Sequence, residues 1–455
     1  MGGWLDVESE ALLREAAERL DGTFAELPGA PARSPEVDRM GAVLLEAAGR
    51  LGDNFPYFHP LYAGQMLKPP HPVARLAYAL AMRVNPNNHA LDGGRASSAM
   101  EKEAVSELAA MFGWSSHLGH LCSGGTMANL EALWVAGRMK PGLSIVASSQ
   151  AHYTHARLCG VLGLSFEAIP CDPRGRMDTK ALASRLGRGG VGTVVATLGT
   201  TATGAVDPLP EILALRARHD LRLHVDAAYG GYFTLASSLE PSVREAFDRA
   251  GKADSIVIDP HKHGLQPYGC GCILFREPEV GRLYKHDSPY TYFTSTDLHL
   301  GEITLECSRP GASAVALWAT QRLLPLTPGG EFARGLDASR AAALDLHARL
   351  AHDPRFVTGT APDLDIVVWA PRARRVSEAS ASSRRIFEEA ARRGLHLALA
   401  SLPVGLLGGA DDMQADEPLV TCLRSVLMKP EHAVWMDRIW ERLDQAATAV
   451  LRSGS

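Results

Sequence analysis

The chain has 455 residues, 46% of them hydrophobic and 21% charged, with a formal net charge of −5. That length supports a large core and more than one domain, and the mild acidity gives nucleic acid or an anionic membrane no footing as a partner. No apolar run reaches the length of a membrane span, and the opening MGGWLDVESEALLREAAERL lacks the basic start and apolar centre of a signal peptide.

Seven cysteines, an odd number scattered along the chain, point to free thiols in a reducing cytoplasm. Cys270 and Cys272 form a C-x-C pair with no second pair nearby. They read as small buried thiols of a strand, and no metal site is expected.

Residues 4–50 carry helical spacing. Leu12, Leu13, Ala16 and Leu20 share one face, Met40, Val43, Leu44 and Ala47 another, with the turn-rich GAPARSP between. Residues 51–98 hold many His, Pro, Asn and aromatic residues and read as loops, ordered because they line something. His59, Tyr62, Gln65 and His89 are candidates there, each equally suited to satisfying local backbone groups.

A helix is predicted over 101–112, with Ala104, Val105, Leu108 and Met111 on its apolar face. Next comes SGGTMANLEALWVAGR, in which Ser123 is placed to cap a helix starting near Thr126. Gly124 and Gly125 let backbone approach an anion at that helix N-terminus. Gly125 and Thr126 are the expected contacts. The plainer alternative is a glycine turn before an ordinary helix.

Residues 144–148 read as a strand, followed by QAHYTH with His152. Strands and helices then alternate to residue 260. Residues 192–197 form a strand, LGTTATGAVDP the loop after it, 209–219 a helix and 221–225 the next strand. Alternation of this kind argues for a parallel sheet covered on both faces, with ligands at the carboxyl ends of the strands.

Two of those strand ends carry chemistry. In LRLHVDAAYGGYF, Asp226 closes a strand, and the small residues Ala227 and Ala228 leave room for a flat ring. In SIVIDPHKHG, a buried run ends at an Asp-Pro pair and leads to Lys262 between His261 and His263. A lysine there is poorly placed as solvated surface charge, and a desolvated lysine is a nucleophile for aldehydes. Alone, Asp226 reads equally well as a helix cap and Lys262 as a loop lysine. Together they are the pair that pyridoxal phosphate needs: an amine to hold its aldehyde and an acid to keep its ring nitrogen protonated. Thr200 and Gly124-Gly125 fall at the same edge of the sheet.

The motifs SGGTMANLEAL, SSQAHYTH, HVDAAYGG and DPHKHG stand here in one order. Together they resemble the pyridoxal-phosphate-dependent decarboxylases of the glutamate, aromatic-amino-acid and tyrosine/aspartate group. Sphingosine-phosphate lyase is a more distant relative. The likeness runs from about residue 85 to 310. It implies the aspartate-aminotransferase fold, type I: a mostly parallel seven-stranded sheet plus a smaller C-terminal α/β domain.

The resemblance also implies residue roles. His152 would stack on the cofactor ring, while nothing marks His155. Cofactor contacts would come from Gly124, Gly125, Thr126, Thr200, Asp226, Ala228, His261 and Lys262. Tyr290 or Tyr292, in KHDSPYTYF, would deliver a proton to the carbanion. Arg424 would pair with substrate carboxylate, or form a structural ion pair.

A division at 1–95 (helical arm and pocket loops), 96–329 (cofactor-binding domain) and 330–455 (small domain) follows. So does a cytoplasmic homodimer with sites at its interface, the N-terminal arm packing on the partner. The expected reaction is decarboxylation of an L-amino acid to its amine. A carbon–carbon lyase or aldolase and an aldehyde-forming oxidative decarboxylase are the alternatives.

Overall fold

The computed structural model describes residues 5–28, 36–285, 299–408 and 412–452. Seven strands build the large sheet: β1 (Leu118–Cys122), β2 (Ser144–Ser148), β3 (Phe166–Ile169), β4 (Val191–Thr197), β5 (Arg222–Asp226), β6 (Ser255–Ile258) and β7 (Gly271–Phe275). Their order is β1-β7-β6-β5-β4-β2-β3. The pairs from β6 through β3 are parallel, and β7 is antiparallel to both of its neighbours, so it alone runs against the rest. Every residue of β4, β6 and β7 is buried. Their near-continuous apolar runs reflect a sheet covered on both faces.

The helices flanking this sheet are α4 (Leu91–Met111), α5 (Gly125–Met139), α6 (Thr154–Leu162), α7 (Thr179–Gly187), α8 (Leu209–Arg216), α9 (Pro241–Asp248) and α10 (Gly311–Leu323). Ahead of them lie α1 (Val7–Gly22), α2 (Val37–Leu51) and α3 (Pro72–Met82). A second, four-stranded sheet joins β8 (Phe356–Thr358), β9 (Ile366–Pro371), β10 (Ala398–Pro403) and β11 (Leu419–Val426) in the antiparallel order β10-β11-β9-β8. Helices α11 (Glu331–His352), α12 (Val376–Arg392) and α13 (His432–Arg452) pack on it and share one core with its strands, centred on Trp369, Ile386 and Ile439.

Two local readings are corrected. The stretch 51–98 is not all loop. Pro72 stands at the first position of α3, its fixed φ suited to a helix start, and His71 Nδ1 accepts from the Val73 amide at 3.2 Å. The helix expected over 101–112 begins ten residues earlier at Leu91, with a non-helical backbone at Gly94. Polar residues masked both segments, since ALDGGRASS reads as a turn by composition.

Helices α1 and α2 bury no residue in this chain. Leu12, Met40, Val43 and Leu44 are all more than half exposed. No described helix is long and apolar enough to cross a membrane.

Candidate active site

A cavity of about 340 Å³ opens at the carboxyl ends of the parallel strands. Its walls include Gly124, Gly125, Thr126, His152, Asp226, Ala228, His261 and Lys262. Residues separated by more than a hundred positions meet there because β1, β2, β5 and β6 deliver their following loops to one sheet edge.

Asp226 ends β5 as a buried carboxylate. It accepts from His155 Nε2 at 2.8 Å and from the Ala228 amide at 3.1 Å. Burial alone would push its pKa up. The His155 hydrogen bond and the positive charges of neighbouring groups, Lys262 among them, outweigh that and hold it well below the usual carboxylate range. Asp226 is therefore an anion prepared to face a cation.

Lys262 follows β6 in a tight turn, its amide donating to the Asp259 carbonyl at 2.9 Å. Its Nζ lies 3.0 Å from Asp259 Oδ2, a carboxylate 2% exposed at the side chain. The His261 Nε2 sits 3.6 Å from the same oxygen, and the His261 ring packs at a tilt of 31° against Tyr268 with centroids 4.7 Å apart.

Helix α5 begins at Gly125 with no side-chain cap, so the Ser123 cap expected from sequence is not made. Gly124 has φ +154, a conformation that only glycine adopts readily, and a β-carbon on Gly125 would come within 2.6 Å of Asp259 Oδ2. The turn thus has no room for side chains and leaves first-turn amides open at a positive helix end. That is a fitting seat for a phosphate group.

His152 stands between β2 and α6, its Nδ1 accepting from the Thr154 amide at 3.3 Å. Partial burial lowers its pKa, so it presents a neutral, flat ring to the cavity.

Other expected residues are placed elsewhere. Thr200 is fully buried and its hydroxyl is engaged with Thr203 Oγ1 at 3.0 Å and the Ala205 amide at 3.0 Å. Gly199 and Thr201 line the cavity in its stead. His59 caps locally, with Nδ1 accepting from the Leu61 amide at 3.1 Å, and meets Trp435 edge to face. His89 packs beneath Gly301.

Arg424 lies on β11 and donates to Gln65 Oε1 at 3.0 Å. None of His59, His89 and Arg424 lines the cavity in this chain. Their loop or strand backbones aim them at neighbours instead. Tyr290 and Tyr292 lie outside the described residues.

His155 and Asp259 were missed. His155 carries no motif signal beyond its place one helical turn after His152, and Asp259 read only as the end of a strand. Cys270 and Cys272 are buried beside β6 as the sequence suggested, and burial pushes both thiols up in pKa.

Residues 57–369 match the family model described as the pyridoxal-dependent decarboxylase conserved domain. The chain belongs to that family. It is 31% identical over 333 residues to a probable L-tyrosine/L-aspartate decarboxylase of Methanoculleus marisnigri, covering 70% of this chain and 85% of the relative. To the L-tyrosine decarboxylase of Enterococcus faecium it is 29% identical over 441 residues, covering 73% and 72%. In fold it is similar to mouse CSAD, with TM-score 0.78 at 21% identity over 94% of this chain and 91% of that one. It is also similar to Oryza sativa TDC solved with PLP and tryptamine, with TM-score 0.76 at 19% identity over 93% and 90%.

This decarboxylase uses pyridoxal phosphate, and the cavity fits it. Lys262 would be the amine to hold the aldehyde, Asp226 the carboxylate to face the ring nitrogen, and the open end of α5 the seat for the phosphate. Bound here, the cofactor supplies an electron-poor ring that takes up the electron pair left when carbon dioxide departs. The protein's part is electrostatic and positional. Asp226, held ionised away from water, would keep a proton on the ring nitrogen of the bound cofactor through a strong charge pair. His155 fixes the angle of that carboxylate, and His152 offers a ring face over the cavity.

Proposed function

We propose that this amino-acid decarboxylase acts on an L-amino acid with an acidic or phenolic side chain, L-aspartate or L-tyrosine, and that Lys262, Asp226 and His152 carry the chemistry. The convergence of Lys262, Asp226, His152 and the uncapped start of α5 on one cavity supports the site assignment. The names of its relatives support the substrate class. The test is incubation of the cofactor-loaded protein with each standard L-amino acid, with mass detection of amines. β-Alanine or tyramine is expected as the main product. If neither forms while another amine does, the substrate class is wrong.

The same reading places the cofactor domain at 96–329 and the small domain at 330–455, and it makes the active species a homodimer. The unburied apolar faces of α1 and α2 support the dimer, since apolar surface of that extent is normally covered. Sedimentation should give twice the chain mass of 48.8 kDa. Leu44→Asp should weaken that association by roughly tenfold or more, because a charge would be buried in an apolar contact. A monomeric wild type would remove the proposal. A cytoplasmic location is supported by seven cysteines that form no disulfide; fractionation of the native cells tests it.

A further inference from the structure

A second cavity, of about 320 Å³, lies on the other side of the lysine turn. His263, directly after Lys262, forms part of its wall, together with residues 68–72, the start of α11 and residues 429–431. Three helix N-termini meet there. Helix α3 starts at Pro72 and α11 at Glu331, both in the wall, and α13 starts at His432, next to the wall residue Glu431. They run 11, 22 and 21 residues. Each such end carries a partial positive charge of about half a unit.

Two lysines add to that field. Lys429, 2% exposed, donates from Nζ to the Tyr62 carbonyl at 2.7 Å and the Leu67 carbonyl at 3.2 Å. Lys68 Nζ donates to the Met428 carbonyl at 3.3 Å. Neither lysine forms a salt bridge among the described residues; besides these carbonyls, Lys429 Nζ lies 5.3 Å from the centre of the Tyr62 ring, and the carboxylates of Asp365, for Lys68, and Glu431, for both, act on them only from a distance. Burial, and for Lys429 the nearby Lys68 charge as well, push their pKa values down, to about 8 for Lys68 and about 7 for Lys429.

Glu331 and Glu431 belong to the exposed rim, not the floor. His263 is 1% exposed. Its Nε2 lies 3.2 Å from Asp365, and its Nδ1 has no hydrogen-bond partner among the described residues.

Like charges gathered in a poorly solvated pocket are costly unless an opposite charge joins them. We propose that this cavity binds a small oxyanion, a carboxylate or phosphate group, between Lys68, Lys429 and the first turn of α11. Lys68 keeps donors to spare beyond its single carbonyl.

The site is separate from the phosphate seat at α5, so the test uses protein already loaded with pyridoxal phosphate. Calorimetric titration with inorganic phosphate, and separately with acetate, at constant pH and ionic strength should show saturable binding of one anion per chain. Binding of phosphate only identifies a phosphoryl ligand; equal binding of acetate identifies a carboxylate. Lys68→Met should weaken binding roughly tenfold or more, and Lys68→Gln serves if the methionine variant does not fold. The control Lys140→Met removes a lysine that pairs with Asp220 far from the cavity, and should bind as the wild type does. No saturable binding of either anion, or unchanged binding in the Lys68 variants, would overturn the proposal and leave the two lysines as ties between segments.

Discussion

Lys262→Ala is expected to abolish turnover and to remove the visible absorbance of lysine-bound cofactor. The loss should be about five orders of magnitude or more, as for removal of other covalent nucleophiles. The structure adds a reason to watch stability. Lys262 Nζ is the cation beside Asp259, at 3.0 Å, while the nearby His261 ring, at 3.6 Å, is pushed toward its neutral form by burial. Truncation leaves a buried carboxylate short of a partner, at a cost of about 1–3 kcal/mol.

Lys262→Arg separates the two effects. Guanidinium keeps a positive charge beside Asp259 but stays protonated and cannot attack an aldehyde. Its thermal unfolding should lie near that of the wild type while turnover stays absent. Turnover at the wild-type rate in either variant would refute the assignment.

The large sheet was legible because its strands are buried on both faces. Runs such as Ile256-Val257-Ile258 and Val194-Val195-Ala196 have no polar alternation to confuse with an edge strand, and a turn residue follows each closely, Asp259 directly after the first and Gly199 three residues after the second. Lys262, Asp226, His152 and the glycines of α5 were legible because each lies within a few residues of such an end.

What lay outside reach is side-chain direction. Thr200 and Thr201 share one loop, and nothing local tells which faces the cavity; a turn closed by the Ala205 amide decides it. Arg424 sits on a strand of the second sheet, and its aim depends on how that sheet packs against Gln65. His155 escaped because its role is a single contact to a residue 71 positions away. The helical arm was read for its spacing, yet its exposure belongs to tertiary structure.

Asp226→Asn should retain the cofactor and lose most of the rate. The amide matches the carboxylate in shape, and its oxygen still accepts from His155 Nε2, which sits 2.8 Å from Oδ2 in the wild type. What disappears is the charge. In wild type that charge persists against burial because His155 and nearby positive charges favour it. A neutral amide no longer keeps a proton on the facing ring nitrogen, and the ring withdraws electrons poorly. A fall in kcat on the order of 10³–10⁴-fold follows, about 4–5.5 kcal/mol in barrier.

KM should move far less, because the proposed role of Asp226 is toward the cofactor ring and not toward the substrate. His155→Gln should show a smaller loss, about tenfold to a hundredfold, as for groups that orient metal ligands. Since Asp226 stays ionised over the whole working range, no part of the wild-type pH profile near neutrality should belong to it. The measurement is kcat, KM and cofactor occupancy for both variants, the last by absorbance. A near-normal kcat in Asp226→Asn with full occupancy would show that the ring nitrogen is served by another group. A protein that no longer holds cofactor would instead assign Asp226 to binding, and the charge argument would fail.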